Sequence, residues 1–201
     1  MKIARTLLFA TLALAIAGAA SAAPVKYAVD KDHTEIGFEV RHVFSKVHGR
    51  FNDFEGTIVF DEQNPANISI DATAQAKSIW TDNDRRDAHL RTADFFAVDS
   101  FPTLSFKSTK VTSDGKGKYK VAGNLTMRGV TRPVVFDGEF LGAGDFSIGG
   151  HSMGQKAGFT ATTVVNRKDY GINWNKLLDN GGWMLADDVT IVLNIEGNSV
   201  Q

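Results

Sequence analysis

Between Arg85 and Arg91 the chain reads R-R-D-A-H-L-R, which places Arg85, Arg86, Asp87, His89 and Arg91 on one short stretch. A histidine beside an aspartate titrates near neutral pH and can act as a general acid or base. General acid–base catalysis through Asp87 and His89 is one reading of this cluster. The other is structural: Asp87 and Arg91 stand at i, i+4, the spacing of an ion pair on a helix surface. The structural reading is preferred, and no catalytic residue is assigned.

The other chemically capable residues are scattered. The histidines are His33, His42, His48, His89 and His151. None forms the H-x-H or H-E-x-x-H pairs of zinc sites, so no metal ligand is assigned. His151 lies near Ser147 and Ser152 in GDFSIGGHSMG (Gly144 to Gly154), but the spacing is not that of a nucleophile elbow, G-x-S-x-G. The glycines of that segment read as a mobile loop. The phosphate-binding patterns G-x-x-x-x-G-K-[ST] and G-x-G-x-x-G are absent.

The elements that must position these residues are mostly strands. NISIDATAQAK (Asn67 to Lys77) alternates without a fault, with Ile68, Ile70, Ala72, Ala74 and Ala76 on one face. The same period of two runs through EIGFEVRH, GTIVFD, LSFKS, KYKVAGNLTM, PVVFDGEF, GFTATTVVNR and VTIVLNIE. That makes eight strong strands, with a short further one at KYAVD (Lys26 to Asp30). Turn signals divide them at Glu62–Pro65, Ser113–Gly117, Arg128–Val130 and Asp179–Gly182. Two places read as helical. VFSKV (Val43 to Val47) is a short turn. Asn83 to Val98 is a helical connection, capped by Asp82, Asn83 or Asp84 and capped again at Thr92, before Pro102 opens the next strand. Many short strands with one apolar face predict an all-β sandwich or up-and-down barrel.

A barrel of about eight strands is either filled by side chains or holds one small ligand. Ala72, Ala74, Ala76, Ala161 and the strand glycines Gly37, Gly123 and Gly138 leave room among larger residues. Phe38, Phe60, Phe106, Phe136 and Phe159 would then line an apolar tunnel. Alternatively, the small residues face a covering helix or fit the taper of a packed barrel. Alternation does not choose between the two.

The first 25 residues, MKIARTLLFATLALAIAGAASAAPV, have a basic start (Lys2, Arg5), an apolar run from Leu7 to Ala17 and an A-x-A pattern at Ala20-Ser21-Ala22. That is a secretory signal peptide, residues 1–22, followed by one domain over 23–201. The run is too short for a membrane span. With no cysteine in the chain there is no lipobox, disulfide or thiolate chemistry. The leader holds two of the 22 basic residues and no acidic one. The remaining 179 residues therefore carry 20 basic and 23 acidic side chains, a net charge of −3. Without a basic excess, nucleic acid is not expected as a partner. Export in a bacterial style predicts the periplasm.

Four segments occur together in order: DKDHTEIGFEVRHVFSKVHGRFNDFEGTIVFD, RRDAHLRTADFFAVDSFPTLSFKSTKV, GNLTMRGVTRPVVF and AGFTATTVVNRKDYGINW. With them the whole mature chain resembles the YceI-like family of bacterial periplasmic polyisoprenoid-binding proteins. The resemblance implies a lipocalin-like eight-stranded antiparallel β-barrel with a short helical segment near one end. It implies a tunnel that takes a polyisoprenoid such as a prenyl phosphate or the tail of an isoprenoid quinone, with no covalent cofactor. It also implies a homodimer. A further reading, in which the protein presents a bound quinone to a membrane oxidoreductase, would bring transient contact with a membrane or with that enzyme. The family motifs fall on Ile36 and Phe38, on Arg86, Asp87, His89 and Leu90, on Asp94 to Phe96, and on Phe101 to Phe106. The expected ligand-binding set is Ile36, Phe38, Val40, Ile58, Phe60, Ile70, Ala72, Ala74, Trp80, His89, Phe95, Phe96, Phe106, Phe136, Phe159, Ala161 and Trp174. Arg86, His89 and Arg91 are the candidates to meet a head group.

Overall fold

The computed structural model describes residues 23–200, so the leader expected at 1–22 lies outside the described residues. The strands are β1 (Val25–Val29), β2 (Glu35–His42), β3 (Ser45–Phe51), β4 (Phe54–Phe60), β5 (Ser69–Gln75) and β6 (Ile79–Trp80), then β7 (Thr103–Ser113), β8 (Lys118–Met127), β9 (Val130–Ile148), β10 (His151–Asn166) and β11 (Leu185–Ser199). Helix α1 (Asp84–Arg91) lies between β6 and β7. All pairings are antiparallel, and the ring β1-β4-β5-β7-β8-β9-β10-β11 closes through β1–β11. The eight-stranded barrel expected above is therefore the fold. Closure removes the sheet edges that an exposed strand would otherwise leave unpaired.

Three of the eight staves are broken. β1 and β2 both lie along β11, at Val29↔Gly197 and Ile36↔Leu193. β3 and β4 lie along them in turn, and β5 and β6 form the third such stave. Each broken stave turns its apolar face inward. Buried Tyr27, Ile58, Phe60, Val121 and Phe136 make the core towards one end, and Phe95, Leu125, Met127, Tyr170 and Ile172 the core towards the other. The second end carries α1 and is called the helix end. The first carries the long β9–β10 hairpin.

Three sequence expectations are corrected. VFSKV is not a helical turn: Val43-Phe44 is a tight turn between β2 and β3, closed by the pair His42↔Ser45. β3 escaped notice because its inward row is Val47, Gly49 and Phe51, and the glycine interrupts the apolar period. Gly144 to Gly154 is not a loop. It is the top of the β9–β10 hairpin, with His151↔Ile148 paired around Gly149-Gly150 at φ +57° and +82°, a left-handed turn that glycine adopts freely. The helix is shorter than Asn83 to Val98. Asn83 caps it by accepting from Arg86 N at 2.9 Å, and it ends at Arg91. Beyond Thr92 the chain runs in hydrogen-bonded turns, with Phe96 N donating to Leu90 O at 3.0 Å and Ala97 N to Thr92 O at 2.8 Å.

Candidate functional site

The barrel encloses a cavity of about 990 Å³, lined along its length by the inward rows of the strands. Small-molecule pockets commonly span about 300–1,000 Å³. β2 contributes Ile36, Phe38 and Val40; β4 contributes Ile58 and Phe60; β5 contributes Ile70, Ala72 and Ala74. Phe106, Phe136, Phe159 and Ala161 line it from β7, β9 and β10, and Val189, Ile191, Leu193 and Ile195 from β11. Near the hairpin end, Phe60 packs on Phe140 and Phe159, with ring centroids 4.5 and 5.1 Å apart. In the middle, Phe106 meets Phe136 edge to face at 5.2 Å. At the helix end Phe95 lies 5.2 Å from Trp174, and His89 stands edge-on to both rings.

Every residue of the expected ligand-binding set lines this cavity except Trp80. Trp80 follows Ile79 on β6; Ile79 is buried inward, so alternation turns Trp80 outward, where Arg50 stacks on it at 4.6 Å. Of the small residues, Ala76 sits in a 3-10 turn, fully buried and off the cavity. Gly37 borders the cavity, but a Cβ there would meet Glu35 Oε1 at 2.9 Å and the Val192 carbonyl at 3.1 Å, so its missing side chain leaves no room inside. Gly123 is overlaid by the Phe106 ring, which a Cβ would approach to 2.4 Å. Gly138 is the glycine that leaves space, with no atom nearer than 3.7 Å to a Cβ built there. Ala161 stands opposite it.

At the helix end the lining turns polar, through His42, Thr81, Asn83, Arg85, Arg86 and His89. Asp87 and Arg91 do not pair. Asp87 is 2% exposed and accepts from Thr81, from its N–H at 3.1 Å and from its hydroxyl. Arg91 donates to the carbonyls of Lys77 and Ile79, at 2.8 Å each, and does not line the cavity. Arg86 donates to the Thr81 hydroxyl at 2.7 Å and to its carbonyl. His89 lies 2.8 Å from Asp94, not from Asp87. These charges fasten α1 across the barrel end, and no Asp87–His89 acid–base pair exists. Arg85, absent from the expected set, is exposed and borders the cavity.

Arg167 is a second residue that sequence reading missed. It is buried and donates to the carbonyls of Ile172, Trp174 and Ala186 at 2.7 to 2.9 Å, and to Asp187 at 3.2 Å. Burial pulls its pKa below the usual arginine value, with Asp187 opposing. Its hydrogen bonds shape the connection that brings Trp174 and Met184 to the cavity. Away from the cavity, Asp30, His33 and Glu196 converge with ligand atoms within 4.8 Å of one another. Lys156 already sits among them, 2.6 Å from Glu196 and 3.2 Å from Asp30. The group reads as an ion network joining β1, β10 and β11.

Over residues 27–197 the chain matches the YceI-like domain. A UPF0312 protein of Pectobacterium atrosepticum is 38% identical over 196 residues, covering 96% of each chain. Another, of Pseudomonas aeruginosa, is 38% identical over 186 residues, covering 92% of each. The crystal structure of the Campylobacter jejuni YCEI protein matches with a TM-score of 0.68 at 30% identity, covering 86% of this chain and 96% of that one. A polyisoprenoid binding domain from Saccharophagus degradans matches with a TM-score of 0.60 at 10% identity, covering 88% and 99%, a likeness of fold.

Proposed function

The chain belongs to the YceI-like family, and from that premise we propose that it is a periplasmic lipid-binding protein holding one long isoprenoid chain inside its barrel. The observation that carries the reading is the cavity: about 990 Å³ of interior, walled by phenylalanine, isoleucine, leucine and alanine side chains. Moving a methylene-sized unit out of water is worth about 0.8 kcal/mol. A long chain therefore binds through its length, without special contacts. The polyisoprenoid binding domain of Saccharophagus degradans has the same fold. A prenyl phosphate or an isoprenoid quinone fits this chemistry, with its tail in the barrel and its head at the polar helix end. Of the basic residues there, Arg86 and Arg91 are engaged by backbone carbonyls and His89 by Asp94, which favours Arg85 as the group that meets a head group.

The leader at 1–22 supports export to the periplasm. Among the described residues no helix is long and apolar enough to cross a membrane. The carboxylate of Asp87, turned to Thr81 and away from His89, supports binding over turnover. The test is a titration of delipidated protein with a polyprenyl phosphate and with a short prenol, followed by intrinsic fluorescence. Saturable binding that tightens with chain length is the expected result. Equal, weak binding of both lipids contradicts the reading.

A further inference from the structure

At the helix end two loops with apolar tips lie beside residues that line the cavity. One is the Val43-Phe44 turn between β2 and β3. The other is the connection leading into β11, where Leu177 bridges Trp183. Val43 N donates to Met184 O at 2.9 Å, so the two tips are neighbours. Phe44 is 95% exposed, Trp183 60% and Leu177 57%. His42, which precedes Val43, and Met184, which follows Trp183, line the cavity, so the patch is continuous with its lining.

Composition, backbone and charge agree on what covers it. Tryptophan, phenylalanine and leucine beside cations are what a surface buried at the headgroup level of a bilayer contains. A two-residue hairpin favours glycine or asparagine at its tip, yet this one places the β-branched Val43 at φ +50° and follows it with phenylalanine. That conformation is strained for valine, so the apolar tip stands where glycine or asparagine would sit without strain. Residues 41–46 and 175–184 carry Arg41, Lys46 and Lys176 against Asp179; Lys46 is ion-paired with Glu39, which leaves a local charge of +1, while the whole chain is at −1. A local positive excess is complementary to anionic lipid headgroups.

We infer that the helix end docks on the surface of a phospholipid bilayer, with Phe44, Leu177 and Trp183 at headgroup depth. The inference rests on the lipid-binding reading of the cavity: a long apolar chain resides in a membrane, and a rim seated there lets it enter without crossing water. A second exposed apolar group, Leu141, Ile148 and Met153 on the β9–β10 hairpin, lies at the opposite end and supplies the control.

The experiment is co-sedimentation with vesicles of phosphatidylethanolamine and phosphatidylglycerol, with mass spectrometry of lipid extracted from the same samples. Phe44→Ser/Leu177→Ser/Trp183→Ser should lower the partition coefficient roughly tenfold or more, and Leu141→Ser/Ile148→Ser should leave it unchanged. Binding by the unaltered protein should weaken as salt is raised. Lack of vesicle binding by the unaltered protein overturns the inference, as does binding unchanged in the triple variant or lost only in the hairpin variant. Recovery of an isoprenoid chain alongside such a result leaves the lipid-binding reading standing; an empty barrel together with it removes both.

Discussion

Asp87, on the buried face of α1, accepts from both the backbone N–H and the hydroxyl of Thr81. Asp87→Ala strands both donors in a buried site, a loss of about 1–3 kcal/mol. Urea denaturation should show it as a lower midpoint, with lipid retention kept where the variant is folded. Asp30 is the residue with the strongest pH consequence. Burial would raise its pKa, but hydrogen bonds from His33, Asn198, the Asp32 N–H and Lys156 prevail and hold it well below the usual carboxylate range. Its folded pKa is thus below the unfolded value of about 3.9, so its stabilisation is complete above that value and is lost as pH falls through the folded one. Asp30→Asn should lower the thermal midpoint at about pH 6, and the gap to the unaltered protein should narrow below about pH 4. Residue types showed that the 85–91 cluster was special. They did not show its partners, because Thr81, Lys77 and Asp94 reach it through backbone turns that carry no period.

Strands were the legible elements, since alternation follows directly from the pleat. Each of the eight sequence-derived strands corresponds to one stave of the barrel. β3 and β6 were hidden: β3 by Gly49, and β6 by being two residues long. Gly49 and Gly123 have the same role. A Cβ on Gly49 would lie 2.4 Å from Phe38 Cζ, and one on Gly123 the same distance from Phe106 Cζ. These glycines seat rings and do not widen the tunnel, a distinction that volume counting along one strand does not make. Gly123→Ala should therefore push Phe106 inward and cost about 1–3 kcal/mol, read as a fall in thermal midpoint. Asn83→Ala, which removes the cap of α1, should cost about 1 kcal/mol and loosen the helix end, seen as faster amide exchange over 84–91.

At the scale of the whole molecule, what alternation left open was whether the inward face was filled. That depends on closure and on which rings lie over which small residues, and both are long-range. The structure resolves it with a hollow barrel, crowded by Phe60, Phe140 and Phe159 near one end and polar at the other. The space at Gly138 and Ala161 is the natural place to block it. Ala161→Trp should keep the barrel folded and reduce binding of a polyprenyl phosphate about tenfold or more, because tail burial is lost. Binding of unchanged strength would place the lipid outside the barrel. The most direct measurement is gentle purification of the protein, followed by solvent extraction and mass spectrometry. A long-chain isoprenoid recovered in fixed proportion to protein is the predicted result. Repeated recovery of an empty barrel that also fails to take up added prenyl lipid would contradict it.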